Sequence, residues 1–178
     1  MNIMIDLETY STANNAVILS IGAIKFSLHD KSLPELDKLD TFYRKIDIQS
    51  CVDLGMDINS NTVNWWNNQT EDAKSEVFSL DNRIPITQAI QEFIVWFGST
   101  NNVVWANGID FDCVILSNAI ELCKCKVPWN FWNVMDCRTV MKLYNIRLAD
   151  IKYESLIKHH SLHDCYRQIL GLRKALKK

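Results

Sequence analysis

Asp6 and Glu8 stand two apart in Ile3-Met4-Ile5-Asp6-Leu7-Glu8-Thr9. An apolar run of this kind extends as a strand, and residues two apart on a strand project from the same face. Carboxylates held side by side repel, and one of them titrates high unless something neutralises the pair. A divalent cation relieves the conflict, because hard ions such as Mg²⁺ and Mn²⁺ take carboxylate oxygens as ligands. Spacing alone is a weak signal, since 21 acidic residues in 178 produce acid-x-acid pairs by chance. What singles this pair out is its place at the end of an apolar strand, where one solvated acid would be ordinary.

Two further blocks carry chemistry-bearing residues. In Trp105-Ala106-Asn107-Gly108-Ile109-Asp110-Phe111-Asp112 a strand turns into a helix. Asp110 and Asp112 fall about 200° apart on a helix, so at most one faces a common site. Asp110 suits a helix cap. Asp112, in the first turn and followed by Val114, Ile115 and Leu116, can reach back toward the strand ends; the plainer account is that both acids complement the positive helix N-terminus. Lys158-His159-His160-Ser161-Leu162-His163-Asp164 holds three of the four histidines. Histidine exchanges protons near neutrality, so beside carboxylates it is a natural general base for water. On one continuous helix His160 shares a face with Asp164, whereas His159 lies about 140° away. That geometry selects His160. A zinc site fits poorly, since no CxxC accompanies the histidines. His29, alone at a strand end, reads as a surface residue.

The elements that must position these residues follow from the hydrophobic period. Ile3–Leu7, 16–28 and 41–48 read as three successive strands, hence an antiparallel meander. The period then turns helical over 61–68, with Ser60 or Asn61 as N-cap, and over 70–78 behind Thr70. Residues 86–97 form an amphipathic helix after Pro85, 103–106 a short buried strand, and 112–123, 137–144 and 161–176 further helices. Arg173, Lys174, Lys177 and Lys178 suit a helix C-terminus. Strands first, then helix, strand and helix, give an α/β domain whose mixed sheet, an antiparallel meander plus parallel strands, is flanked by helices. This is a ribonuclease-H-like architecture.

The chain of 178 residues has the size of one domain, with no linker or repeat to divide it, so 1–178 is expected to be a single unit. Hydrophobic residues at 48% and charged residues at 22% exclude a disordered or membrane class. No apolar run nears the ~20 residues of a membrane span, and MNIMIDLET lacks the basic start of a signal peptide. A cytoplasmic protein is expected. Its six scattered cysteines read as free buried thiols. A net charge of −2 argues against tight binding of long duplex, where Lys and Arg neutralise phosphate. It weighs less against an enzyme gripping one strand end, because bound Mg²⁺ itself neutralises the phosphate.

In this order the three blocks resemble the DEDDh branch of the DnaQ-like exonuclease superfamily. That pattern is D-x-E at the end of the first strand, an Asp after an aromatic at a helix start, and H-x₄-D near the C-terminus. Asp6 and Glu8 match the first motif, Asp112 after Phe111 the second, and His159 with Asp164 the third. The family spacing selects His159 over His160, since the family's histidine precedes the helix on a mobile loop. FYRKIDIQSCVDLGMDINSNTVNWWNNQTEDAK, WANGIDFDCVIL and MDCRTV look like the ribonuclease AS and phage DexA exonuclease group, over most of the chain.

The resemblance implies 3′→5′ hydrolysis of phosphodiesters at a single-stranded end, with two divalent cations (Mg²⁺ or Mn²⁺), His159 as general base, and nucleoside 5′-monophosphates as products. Asp6 would bridge the ions, Glu8 and Asp164 complete one site, and Asp112 support the other through water. Similarity to ribonuclease AS implies RNA and a homodimer; similarity to DexA implies DNA. RNA is favoured, and a phage or prophage origin fits. A catalytically silent nucleic-acid-binding module on the same fold is the alternative of a different class, opposed by the presence of every expected carboxylate and the histidine. Adjacent Trp65 and Trp66 point about 100° apart on a helix, so one packs inward and the other is free to stack on a base. Trp66, with Thr9, is carried as the substrate-contact candidate. Arg138 in the DCRT stretch is a candidate for phosphate or for a buried carboxylate.

Overall fold

Alternation along β1 (Asn2–Thr9) sets the layout of the two cores. Ile3, Ile5 and Leu7 enter one apolar cluster and Met4 enters another, as the two-residue period of a strand requires. The computed structural model describes residues 1–30, 34–151 and 156–177. Among these, β2 (Ile18–Phe26) and β3 (Thr41–Ile46) continue β1 as an antiparallel meander. The strand β5 (Val103–Ala106) runs parallel to β1, β6 (Val134–Asp136) parallel to β5, and β4 (Arg83–Ile84) parallel to β3. The resulting six-stranded mixed sheet has the order β4-β3-β2-β1-β5-β6, and β1 lies inside it.

Helices cover both faces. On the Ile3-Ile5-Leu7 side, α4 (Ile86–Phe97) buries Ile86, Ala89, Ile90, Phe93 and Phe97, a stripe at three- and four-residue steps. Beside it α5 (Asp112–Leu122) buries Ile115, Leu116, Ala119 and Ile120. Phe93 and Phe97 are wholly buried, and truncating either to Ala should cost about 3–5 kcal/mol. On the Met4 side, α6 (Cys137–Leu143) and α7 (Ser161–Leu176) pack Cys137, Met141, Cys165, Tyr166, Ile169 and Leu172 against the sheet. A smaller cluster of Leu19, Trp66 and Val77 pins α2 (Ser60–Asn67) and α3 (Glu71–Phe78) against β2. No helix among the described residues is long and apolar enough to cross a membrane. All six cysteines are free thiols.

The expected bounds hold for α4, β5 and α7, and several others shift for local reasons. The third strand stops at Ile46 because Asp47 caps a further helix, α1 (Ile48–Val52), accepting from the Ser50 N–H at 3.2 Å. The N-cap of α2 is Asn59, whose side chain accepts from Asn61 N at 2.8 Å, rather than Ser60 or Asn61. Thr70 caps α3 as expected. Asp110 does not cap α5; it is exposed, and Phe111 occupies the N-cap without a side-chain bond. Arg173 is no solvated end charge. It is 5% exposed and donates to the Ser27 and Asp30 carbonyls. Lys178 lies outside the described residues.

Candidate active site

Pairing between β1 and β5 ends at Met4 and Trp105, so β1 beyond that point needs another partner for its backbone. Asp112, at the start of α5, supplies it: the Leu7 N–H donates to Asp112 Oδ1 at 3.0 Å. This bond brings the Asp112 carboxylate to the strand that carries Asp6 and Glu8. Gly108 makes the approach possible. Its φ of 113° is one that side-chain-bearing residues rarely adopt, and its N–H donates to Asp136 Oδ1 at 2.9 Å, the same carboxylate that caps α6.

The other side of β1 is closed by α7. Gly22 on β2 lies opposite Asp6, and a Cβ there would run into the Ser161 backbone. Only glycine lets the first turn of α7 descend this far onto the sheet, where the Ser20 and Ser161 hydroxyls meet at 3.0 Å. Two turns beyond Ser161, Gln168 Nε2 donates to Asp6 Oδ1 at 2.7 Å. Glu8, Asp164 and His159 offer ligand atoms that all lie within 4.8 Å of one another. The structure thus gathers Asp6, Glu8, Asp112, Asp164 and His159, five residues drawn from β1, α5, α7 and the turn before α7.

The electrostatics of the cluster are those of like charges buried together. Asp6 titrates well above the usual carboxylate range, first through burial and then through the charges of Asp112, Glu8 and Asp164. Glu8 is likewise raised by burial, then by Asp164 and Asp112. Asp112 is pushed up to about 7 by burial, which outweighs its bond from Leu7 N–H. Glu8, Asp112 and Asp164 are all less than a tenth exposed. Four buried carboxylates facing one another, three of them in no ion pair among the described residues, are an oxygen-rich donor set that fits hard divalent cations.

The two adjacent histidines have different surroundings. His159 adopts a left-handed backbone, φ 62°, which costs a non-glycine residue about 1–2 kcal/mol. Its N–H donates to Asp164 Oδ2 at 3.0 Å, and its ring meets the rings of Trp65 and Trp66 edge-on at 4.9 and 5.9 Å. Burial, then the Lys158 charge, lowers its pKa. His160 is the N-cap residue of α7 and stacks between Tyr43, at 4.5 Å, and His163, at 3.9 Å. Its Nε2 lies 3.7 Å from Glu76 Oε1, and burial brings its pKa down to about 4. Because the helix begins only at Ser161, the single-helix geometry that selects His160 does not apply. His29 is exposed.

A cleft of about 500 Å³ opens beside Glu8, lined by Thr9, Asn59, Asn61, Thr62, Trp65 and Phe111 among others. Trp66 borders it but is only 1% exposed, its Nε1–H donating to Thr9 O at 2.9 Å and its ring covered by Trp65, Phe78 and His159. A ring so enclosed presents no face to a base, so the assignment of Trp66 as the stacking residue is corrected: the exposed ring is Trp65, at 44%. Thr9 lines the cleft, but its hydroxyl donates to Ser11 O at 2.7 Å. Asn59, Asn61 and Thr62 were not anticipated as site residues; their polar run reads in sequence as helix capping. Arg138 is exposed and donates to Asn107 O, and its charge draws the Asp112 pKa down.

Comparison with known proteins places this chain in the DnaQ-like 3′-5′ exonuclease superfamily, hydrolases of nucleic-acid ends. Within it, a family model described as the 3′-5′ exoribonuclease Rv2179c-like domain matches residues 1–175, and the chain belongs to that family. It is 25% identical over 200 residues to an exodeoxyribonuclease of Enterobacteria phage T4, across 98% of this chain and 88% of that protein. E. coli Exonuclease I, solved in complex with a dT13 oligonucleotide, matches with a TM-score of 0.61 at 14% identity, over 97% of this chain and 40% of that one. Cell-death related nuclease 4 (CRN-4) matches with a TM-score of 0.55 at 11% identity, over 99% of this chain and 63% of that one. The chain therefore spans less than two thirds of either solved neighbour, and those two likenesses carry the ribonuclease-H-like fold.

Proposed function

We propose that this chain, as a single exonuclease domain over 1–178, removes nucleotides from the 3′ end of single-stranded RNA and releases nucleoside 5′-monophosphates. The observation that carries the proposal is the gathering of Glu8, Asp164 and His159 ligand atoms within 4.8 Å beside an open cleft. Asp6, Glu8, Asp112 and Asp164 are the residues that would hold two divalent cations, Mg²⁺ or Mn²⁺. When bound, such ions supply the charge that stabilises the attacking and leaving oxygens of an in-line displacement.

The remaining work falls to the chain's own groups. His159, held over Glu8 and Asp164 by its left-handed turn and kept neutral by burial, takes the proton of the attacking water at an imidazole nitrogen. The exposed face of Trp65 supports the terminal base, a contact worth about 1–3 kcal/mol. Asn59, Asn61 and Thr62 offer the cleft hydrogen-bonding groups suited to a ribose hydroxyl, the feature that distinguishes RNA from DNA. The family description supports RNA. The phage T4 relative, described as an exodeoxyribonuclease, supports the second reading, DNA.

The test is to incubate RNA and DNA oligonucleotides of one sequence, labelled at the 5′ end, with Mg²⁺, Mn²⁺ or EDTA. Stepwise shortening from the 3′ end, stopped by EDTA and faster on RNA, is expected. Binding without shortening would mean a silent module, and faster loss of DNA would reverse the choice of sugar.

A further inference from the structure

We propose that Arg167 is a built-in counter-cation of the carboxylate cluster, which a divalent ion must displace from Asp164 as it binds. The proposal rests on reading Asp164 as a metal ligand. Arg167 lies three residues beyond Asp164 on α7, on the same side of the helix, and its Nη2 donates to Asp164 Oδ1. The other carboxylate oxygen, Oδ2, accepts from His159 N at 3.0 Å. Both oxygens are therefore engaged.

The other acids of the cluster differ. Asp6 accepts from the neutral Gln168 amide and Asp112 from the neutral Leu7 N–H. Among the described residues, Asp164 is the cluster's one carboxylate in an ion pair. The guanidinium is also poorly satisfied where it lies, since its Nε is buried with no hydrogen-bond partner among the described residues. Arginine carries five donors, and one left bare in a part-buried site favours release when a better partner for the carboxylate arrives.

The guanidinium and an incoming ion compete for the one Asp164 charge, so the closed pair weakens apparent metal affinity in proportion to its population. In return the pair neutralises one of four converging acids and adds an i,i+3 ion pair within the first two turns of α7. Loading thus exchanges an internal ion pair for a metal bond and leaves a free guanidinium next to His159, on which its charge already bears.

The experiment is a calorimetric Mn²⁺ titration of the full chain, with melting curves in EDTA and in Mn²⁺. Arg167→Met should bind Mn²⁺ about tenfold more tightly, the ordinary worth of one charge-assisted pair. It should melt lower in EDTA and show a larger metal-induced rise. Arg167→Lys, which keeps the charge without the planar fork, should fall between, and it carries the test if Arg167→Met does not fold. Lys158→Met removes an exposed charge near His159 and should change affinity by less than about twofold. Wild-type or weaker affinity in both Arg167 variants would overturn the proposal, as would equal tightening in Lys158→Met. If the wild type binds no Mn²⁺ that Asp6→Asn abolishes, the metal-site reading itself fails and this proposal falls with it.

Discussion

Replacing Asp112 by Asn asks whether the cluster is assembled against its own charge. Burial lifts Asp112 from 3.8 to about 7 in the folded chain. A carboxyl raised in this way binds its proton more tightly folded than unfolded. Its stabilising contribution is full below about pH 4 and is lost as pH rises through 7. The lift corresponds to about 4 kcal/mol against the ionised form, at about 1.36 kcal/mol per pKa unit. Asn keeps the oxygen that accepts from Leu7 N–H and has no charge to bury. In EDTA at pH 8 the variant should therefore be more stable than the wild type by about 2–4 kcal/mol, or roughly 4–16 °C in melting temperature. At pH 4 the difference should shrink below about 1 kcal/mol. Mn²⁺ at a hundred times its Kd should raise the wild type by about 2.7 kcal/mol and the variant by less than about half of that. Differential scanning fluorimetry across pH 4–8, with EDTA or Mn²⁺, measures all of this. A gain from Asp112→Asn that is absent at pH 8 in EDTA, or equal at pH 4 and pH 8, would refute the electrostatic reasoning.

Other expectations follow from the same geometry. Asp6→Asn and Asp164→Asn should leave the fold intact by circular dichroism and reduce turnover on labelled RNA below a few per cent, since each removes a ligand oxygen. His159→Ala should lower kcat by about 10²–10⁴ while retaining Mn²⁺ binding. The wild-type rate should rise with pH through a value below the usual 6.5 of histidine and then level off, because burial lowers the His159 pKa; the variant should lose that limb. Trp65→Ala should raise KM by about 5–150-fold with little change in melting temperature, the worth of one base stack. Trp66→Ala should instead destabilise by about 3–5 kcal/mol. Gly22→Ala should push α7 off the sheet, measured as a lower melting temperature with weaker Mn²⁺ binding.

The acidic strand end was legible because the two-residue period of β1 fixes which residues share a face, independent of the rest of the fold. Helix 86–97 was legible for the same kind of reason, a clean apolar stripe. Short elements were not: β4 has two residues and β6 three, too few for any period to emerge. The first helix follows β3 directly and its Ile48 reads as one more strand residue. Which tryptophan faces inward depends on where α2 meets β2, and a spacing of one residue only says that the two rings diverge. That His159 lies in a turn before α7, where single-helix geometry does not apply, depends on a left-handed backbone residue, which local sequence does not announce. Asn59 caps α2 and Asn61 and Thr62 lie in its first turn, and only the tertiary fold reveals that all three line the cleft.

The central claim is that β1, α5 and α7 bring four acids together to hold divalent cations. Crystals grown in Mn²⁺ and measured at the manganese absorption edge test it most directly. Anomalous density bounded by Asp6, Glu8 and Asp164, with Asp112 on the flank and Arg167 withdrawn, is expected. Density elsewhere on the surface, with these carboxylates protonated and bare of metal, would contradict it.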